Sequence, residues 1–250
     1  MSELPPLPVK VISLSRTPER RAEFARRNQG LPYEFFDAVD GTALTHEAVA
    51  ATGLFQAGLN FTAGAYGIAL SHHRLWQETA AGEAPLTVAE DDAIFRSDFA
   101  ARQAEFLAGL SEGWDIVLWG FNFDSTLSLR LPFGQPAVIG FNHSHIRQAV
   151  QNFQSFTGAS TPCRLDFCFG IPAYSISPAG AQRFLKELFP LRDYARAYPL
   201  IPKPVRNEGI DIAMNQLYPA MAAYVAFPPL AVTPNDRANS TVQTSGALKT

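Results

Sequence analysis

Short apolar runs alternate with longer segments of helical periodicity along most of this chain. The runs at 9–14, 85–89 and 115–120 are apolar and are interpreted as strands. Residues 62–81 and 178–189 carry their apolar side chains at helical spacing. This alternation predicts an α/β protein with a Rossmann-type, mainly parallel central sheet and helices on both faces. Such sheets bind ligands beyond the carboxyl ends of their strands.

The remaining segments interrupt this alternation without suggesting a second domain. Residues 121–165 are rich in Phe, Asn, Pro, Ser and Gly, and they predict loops with short strands. Residues 1–8 read as a short leader, and the polar segment 233–250 is expected to be mobile when no ligand is bound. With 250 residues, the prediction is one domain over 1–250 with an irregular insertion.

Composition narrows the range of partners and locations. Hydrophobic residues make up 47% and charged residues 17%, which favours a packed core over disorder. The net charge of −3 gives no basic excess for binding nucleic acid. The start has no basic region and apolar run typical of a signal peptide, and no apolar stretch reaches the roughly 18 residues that span a bilayer. A cytoplasmic protein is therefore predicted.

Three adjacent carboxylates, Glu90, Asp91 and Asp92, follow directly on the strand at 85–89. Burying them without partners would be costly, and a divalent cation would offset their repulsion. Mg²⁺ and Mn²⁺ take oxygen ligands and often bridge a carboxylate to a diphosphate. A solvated acidic turn is the alternative, but the position at a strand end favours a metal site at Asp91 and Asp92.

Six segments, spread over residues 9–242, keep the order of motifs of one known family. They are Val11-Ile12-Ser13-Leu14 with Arg16, Pro18, Glu19 and Arg20; Phe36-Asp37-Ala38-Val39-Asp40-Gly41; Ser71-His72 with Leu75-Trp76; Glu90-Asp91-Asp92 with Phe95; Gly170, Tyr174, Ser177 and Gly180-Ala181; and Pro229 with Ser240. The ordered set resembles glycosyltransferase family 25, the bacterial lipopolysaccharide galactosyltransferases and their collagen-modifying relatives. Ala89 stands where that family usually has a larger apolar residue, and no histidine follows His145.

The resemblance implies a GT-A-like fold and transfer of a hexose from a UDP-sugar, with UDP-galactose first. It implies a divalent cation, commonly Mn²⁺ with Mg²⁺ as the alternative, and a β-linked product made with inversion. The acceptor would be a glycan or a lipid-linked saccharide such as lipopolysaccharide, with residues 121–165 on the acceptor side. The protein would then work in the cytoplasm, with possible peripheral association with the inner membrane.

On this resemblance, eight residues are expected to contact the donor: Leu14, Arg16, Arg20, Asp40, Ser71, His72, Glu90 and Asp91. Arg16 and Arg20 flank the N-terminus of the first predicted helix, where uridine or phosphate can dock, and a solvated basic helix face is the alternative. Asp40 either contacts the uridine or shapes a turn with Gly41. For His72, a structural position in the core is the alternative.

Inversion needs one general base on the acceptor hydroxyl. Asp211 and Glu208 are the candidates, and Asp211 looks more like the late aspartate of the family. The alternative is that Asp211 only caps a helix. Two rival functions stay open: a GT-A-like scaffold that binds a sugar nucleotide or glycan without turnover, and a metal-dependent phosphohydrolase or nucleotidyltransferase that uses residues 90–92.

Overall fold

The computed structural model describes residues 7–110, 113–142, 145–234, 242 and 245–249. Its strands are β1 (Val9–Ser13), β2 (Glu34–Asp37), β3 (Leu86–Glu90), β4 (Ile94–Phe95), β5 (Ile116–Leu118), β6 (Thr126–Arg130), β7 (Pro136–Gly140), β8 (Thr161–Phe167), β9 (Ala173–Ile176), β10 (Ala195–Arg196), β11 (Val205–Arg206), β12 (Ala223–Phe227) and β13 (Ala231–Val232). Its α-helices are α1 (Pro18–Arg27), α2 (His46–Ala51), α3 (Ala63–Ala81), α4 (Phe99–Ala108), α5 (Ile146–Phe153), α6 (Pro178–Glu187) and α7 (Ile210–Met214).

One large sheet organises the molecule, with the strand order β2-β1-β3-β9-β5-β12-β8-β6-β7. β1 runs parallel to β2 and β3, and β5 runs parallel to β12. β9 lies antiparallel between β3 and β5, β8 lies antiparallel between β12 and β6, and β7 is antiparallel to β6. Six of the nine strands therefore share one direction, which confirms the predicted α/β class with a mainly parallel sheet. The three opposed strands are an addition to that prediction.

Helices cover both faces of the sheet. Neighbouring residues of its central strands point to opposite sides, and both sets are apolar, so both faces need cover from solvent. In β5, Ile116 packs into the core on the side of α3 and α6, together with Trp76 and Phe184. The next residue, Val117, packs into a second core that includes Phe24 of α1 and residues of α4. Both cores are closed to solvent, so the sheet is fixed from both sides and its strand ends are held in place.

Helix α3 brings the end of β2 close to the carboxyl edge of the sheet. Thr62 caps the helix, because its side chain accepts a hydrogen bond from the N–H of Ala65. A Cβ at Gly67 would lie 2.4 Å from the carbonyl oxygen of Val39, so the chain after β2 contacts the bare helix backbone. Glycine permits this approach, which places Asp40 at the rim of the sheet edge.

In the described part of two segments, the chain makes more regular contacts than the sequence suggests. Residues 121–165 include the hairpin β6–β7, helix α5 and most of β8, because the hairpin extends the central sheet. In the segment 233–250, Gly246 accepts a hydrogen bond from the N–H of Ala63 at 2.8 Å, and Ser245 accepts one from Gly64 at 2.6 Å. Leader residues 1–6 lie outside the described residues, and so do residues 243, 244, 250 and 235–241, a range that includes Ser240. Among the helices described, none combines the length and apolarity needed to cross a membrane.

Candidate functional site

A cavity of about 1020 Å³ lies beyond the carboxyl ends of β1 and β3. The sequence rule for parallel sheets predicts a ligand site at this edge. Nine of the eleven predicted site residues line the cavity: Leu14, Arg16, Arg20, Asp40, Glu90, Asp91, Asp92, Glu208 and Asp211. The structure thus brings together residues separated by almost 200 positions in the chain, and it leaves out Ser71 and His72.

Asp91 joins the first helix to the acidic strand end. Ser13 donates a hydrogen bond from Oγ to Asp91 Oδ2 at 2.7 Å, and Arg20 donates from Nε to Asp91 Oδ1 at 2.8 Å. Arg20 and Asp91 also form a largely buried ion pair. Both oxygens of Asp91 therefore have protein donors, and this arrangement differs from the open metal ligand that the sequence predicts for Asp91.

Asp92 has an oxygen that the protein does not satisfy. Thr233 donates a hydrogen bond from Oγ1 to Asp92 Oδ2 at 3.0 Å, whereas Asp92 Oδ1 is buried and has no hydrogen-bond partner in the described part of the chain. Burial raises the pKa of Asp92, and the negative charge of Asp91 acts in the same direction. An unsatisfied buried carboxylate oxygen fits a cation ligand, so the residues present favour Asp92 over Asp91 for that role.

Glu90 lies in the same acidic surroundings. Burial raises its pKa well above the usual range, and the negative charges of Asp92 and Asp211 raise it further. Across residues 7–110, 113–142 and 145–234, no three His, Cys, Asp or Glu side chains are arranged to hold a metal ion. Protein carboxylates and ligand phosphates commonly share a Mg²⁺ or Mn²⁺ ion, so two carboxylates are sufficient for a site that forms with the ligand.

We expect Glu90→Gln to raise the melting temperature of the unliganded protein at pH 8. The folded-state pKa of Glu90 lies above its unfolded value, so ionisation of Glu90 destabilises the folded state progressively as pH rises through that interval. The glutamine removes this penalty, and the gain should vanish below about pH 4, where both states are protonated. Calorimetry at the two pH values checks it, with the exposed Glu83→Gln as control. Equal melting temperatures at pH 8 would contradict it.

Asp211 also lines the cavity, from the first turn of α7, and it is close enough to Glu90 for its negative charge to raise the pKa of Glu90. Its Oδ2 accepts a hydrogen bond from the N–H of Gly170 at 2.9 Å. Burial raises the pKa of Asp211, and the hydrogen bond from Gly170 opposes that shift. Gly209 occupies the N-cap position of α7, so Asp211 is not the cap. Glu208 lines the same cavity but is exposed, which makes Asp211 the better held of the two carboxylates.

Gly170 permits the contact with Asp211 because of its backbone conformation. Its φ of +73° lies in the left-handed region that favours glycine. A Cβ there would lie 2.2 Å from the side-chain oxygen of Asn122, which lines the same cavity. A side chain at position 170 would therefore displace Asn122 and disturb the hydrogen bond that the N–H of residue 170 donates to Asp211.

Asp40 and Arg16 form another part of the cavity wall. Arg16 donates from Nε to Asp40 Oδ2 at 2.7 Å, and this contact is the main cause of the lowered pKa of Asp40. Asp40 Oδ1 also accepts hydrogen bonds from the N–H and Oγ1 of Thr42, at 3.0 and 2.7 Å. Asp40 therefore shapes the turn, as one sequence alternative has it, and it does so at the cavity wall.

Ser71 and His72 do not reach the cavity, contrary to their predicted place in a donor site. His72 is fully buried, and its Nδ1 lies 2.8 Å from the hydroxyl of Tyr174. Burial lowers the pKa of His72 to about 3, so the ring is neutral. Ser71 Oγ accepts from the N–H of Val39 at 2.9 Å and donates to the carbonyl of Gly67 at 2.8 Å. Both side chains face the core because α3 turns that side toward the sheet.

We expect Tyr174→Phe to lower the free energy of unfolding by about 2 kcal/mol, because the buried indole N–H of Trp76 and Nδ1 of His72 would lose a shared partner. Urea unfolding measures this change. The control is Tyr33→Phe, since Tyr33 is only partly buried and should change stability little. An unchanged midpoint and slope for Tyr174→Phe would contradict the proposed role of this hydroxyl.

Two further cavity residues, Ser13 and Thr233, act through contacts that sequence reasoning did not assign. Ser13 is the last residue of β1, so its position carried a signal, although no contact followed from it. Thr233 carries none, because it reaches Asp92 only through the fold of the last third of the chain. The same holds for Gly246 and Ala247, which line the cavity from the C-terminal segment.

Comparison with known proteins finds the family that the sequence motifs resemble. The family model described as glycosyltransferase family 25 (LPS biosynthesis protein) matches residues 7–198. A glycosyltransferase 25 family member of Aedes aegypti is 34% identical over 125 residues, which are 45% of this chain and 21% of that protein. A protein of Acanthamoeba polyphaga mimivirus, named as a glycosyltransferase, is 31% identical over 121 residues, or 46% of this chain and 37% of that protein.

A solved structure, the inositol-1-phosphate CTP transferase from T. maritima, has 9% sequence identity and a TM-score of 0.38, with 94% of this chain and 74% of that chain covered. The alignments with the proteins of Aedes aegypti and the mimivirus span well under half the length of each of these curated relatives. The fold is that of an α/β protein with an acidic cavity at its strand ends. The family match extends over most of the chain, and the chain belongs to glycosyltransferase family 25.

Proposed function

We propose that this protein transfers a hexose, galactose first, from a UDP-sugar to a glycan or lipid-linked saccharide such as lipopolysaccharide, with inversion at the anomeric carbon. One observation carries the proposal: a single cavity is lined by the strand-end carboxylates at 90–92 and by Asp211 from α7. Residues suited to a leaving diphosphate and a carboxylate suited to an acceptor hydroxyl therefore share one cavity.

The donor side combines positive groups with the acidic strand end. Arg16 and Arg20 flank the N-terminus of α1, whose N–H groups favour a phosphate. Asp91 orients Arg20 through their ion pair. Asp92, with its unsatisfied oxygen, and Glu90 would hold Mn²⁺ or Mg²⁺. When bound, the cation would offset the negative charge that develops on the diphosphate.

Asp211 is the proposed general base. The acceptor hydroxyl oxygen forms a bond to the anomeric carbon of the donor sugar, and the bond from that carbon to the diphosphate oxygen breaks. UDP departs with the electron pair, and the hydroxyl proton moves to Asp211. Its raised pKa makes the Asp211 carboxylate a stronger base than an exposed aspartate, and the hydrogen bond from the N–H of Gly170 fixes the position of the carboxylate in the cavity.

Thermal unfolding with UDP, with and without Mn²⁺, tests the donor site. Ligand about 100-fold above its dissociation constant adds about 2.7 kcal/mol to stability. For a domain of this size the midpoint should rise by roughly 5–10 °C. A shift that needs both components supports the donor and cation sites together, and Mn²⁺ alone is the control. No shift with either would contradict the proposal.

Turnover then separates the transferase from its rivals. UDP-galactose and UDP-glucose are incubated with a saccharide acceptor, and UDP release is measured with and without that acceptor. We expect acceptor-dependent release of UDP. Release of inorganic phosphate without an acceptor would instead indicate a phosphohydrolase, and UDP binding without consumption of any UDP-sugar would indicate a scaffold.

A further inference from the structure

A basic β-ribbon directly precedes the cavity residues Glu208 and Asp211 in the chain. It consists of β10, β11 and the loop between them, with short flanks, and spans residues 192–206, called here the basic ribbon. It carries four basic residues and one acidic residue in a chain whose net charge is −3: Arg192, Arg196, Lys203, Arg206 and Asp193. The positive charge is therefore concentrated locally on an otherwise acidic protein.

Most of these cations are available to a partner. Arg206 pairs with Asp193 at 2.8 Å, and the guanidinium of Arg196 lies 5.5 Å from the centre of the Tyr198 ring. Within the residues described, Arg192, Arg196 and Lys203 have no carboxylate within 4.0 Å. All three are exposed. Three positive charges therefore face solvent within a short stretch of chain.

The tip of the basic ribbon exposes an apolar side chain in an unfavourable backbone conformation. Leu200 is 70% exposed, and its φ is +64°. Among the residues the structure describes, Leu200 is the one non-glycine residue with positive φ, a conformation that costs about 1 kcal/mol or more. Strain of this kind, held in place by its surroundings, concentrates at functional positions.

The base of the basic ribbon is firmly anchored. Tyr198 is buried against Phe167 and Phe169, and Ile201 and Val205 pack on the same cluster. Because residues on both sides of Leu200 are fixed in this way, the tip is presented outward on a rigid base rather than on a loose loop. An exposed leucine flanked by cations suits a lipid interface, where the apolar side chain leaves water and the cations stay among the headgroups.

We propose that the basic ribbon docks on an anionic lipid bilayer, with Leu200 in the interface and Arg196 and Lys203 among the headgroups. The purpose of this docking rests on the proposed function. Arg206 is followed closely by Glu208, which lines the same cavity as Asp211, so docking would bring a lipid-linked acceptor close to the proposed base. A bilayer is favoured over a soluble anionic glycan because only the bilayer offers an apolar phase to Leu200.

Co-sedimentation with phosphatidylcholine vesicles, with and without phosphatidylglycerol, tests the docking. We expect binding that needs phosphatidylglycerol and weakens with salt. Leu200→Ser should weaken it about tenfold. Each of Arg196→Gln and Lys203→Gln should weaken it about fivefold. Phe133→Ser is the matched control, because Phe133 is 79% exposed at the turn between β6 and β7, outside the basic ribbon.

Each outcome decides one point. Absence of binding by the wild-type protein, or equal loss in Leu200→Ser and Phe133→Ser, would overturn the docking proposal. Binding of a soluble anionic polysaccharide without binding of vesicles would do the same and would assign the basic ribbon to a glycan. The UDP and Mn²⁺ thermal shift is measured on the same samples. Vesicle binding without that shift would leave the docking in place while the transferase proposal fails.

Discussion

Replacing Asp211 by asparagine is expected to lower the transfer rate about 100- to 10,000-fold while UDP still binds. The amide keeps the size of the side chain and can still accept the hydrogen bond from Gly170, but it cannot take up the acceptor proton. The measurement is kcat with saturating UDP-galactose and acceptor, together with the UDP thermal shift in the same protein.

Glu208→Gln is the matched control for this change. Glu208 lines the same cavity but is exposed, and we expect its amide variant to keep most of the rate. A wild-type rate in Asp211→Asn combined with a large loss in Glu208→Gln would transfer the role of base to Glu208. Large losses in both would show that the cavity tolerates no change on this side, and melting temperatures would then separate misfolding from chemistry.

The pH dependence gives an independent check on Asp211. Burial raises the folded-state pKa of Asp211, so the rate should fall as pH drops through a value above the usual 3.9 of an aspartate. The base is active when deprotonated, so activity is retained above this pKa and lost below it. A rate that stays constant down to about pH 4 in a protein that remains folded would contradict the assignment.

Asp92→Asn is expected to remove the Mn²⁺-dependent part of the UDP thermal shift. The asparagine can still accept the hydrogen bond from Thr233, so the fold should be kept, but the charge that would hold a cation is lost. The measurement is UDP affinity by calorimetry with and without Mn²⁺. We expect at least a tenfold loss of affinity with Mn²⁺ and little change without it.

Asp37→Asn provides the comparison, since Asp37 also ends a strand but is exposed and pairs with Arg21 at the surface. Its variant should bind UDP and Mn²⁺ as the wild-type protein does. Unchanged Mn²⁺-dependent affinity in Asp92→Asn would exclude Asp92 as a cation ligand. Equal losses in both variants would point to a general effect of surface charge instead.

The sequence predicted the parts of the site that depend on strand ends. Apolar runs located β1 and β3, and the position of polar residues after those runs placed Arg16, Glu90 and Asp92 at one edge. The family resemblance added Asp40 and Asp211, and the structure brings both to the same cavity. The sequence could place these residues at one edge because a strand end is a local property of the sequence, and parallel strands end together.

The failures concern side-chain direction and long-range contact. His72 lies on a helix with apolar residues all around, so periodicity could not tell which side faces the cavity, and the structure buries it against Tyr174. The hydrogen-bond partners of Asp91 and Asp92 could not be predicted from the sequence either. Ser13 and Thr233 reach these carboxylates only after strands distant in sequence have paired, and no local pattern reports that pairing.

The central position of β9 has a consequence for the synthesis of this protein. β9 fills the space between β3 and β5, so residues 173–176 must be made before the first half of the sheet is continuous. A nascent chain or fragment that ends earlier exposes two unpaired apolar strand edges, which readily pair with other chains. The facing edges of β5 and β8 stay open in the same way until β12 has been made, so we expect shortened versions to express poorly unless they include β12.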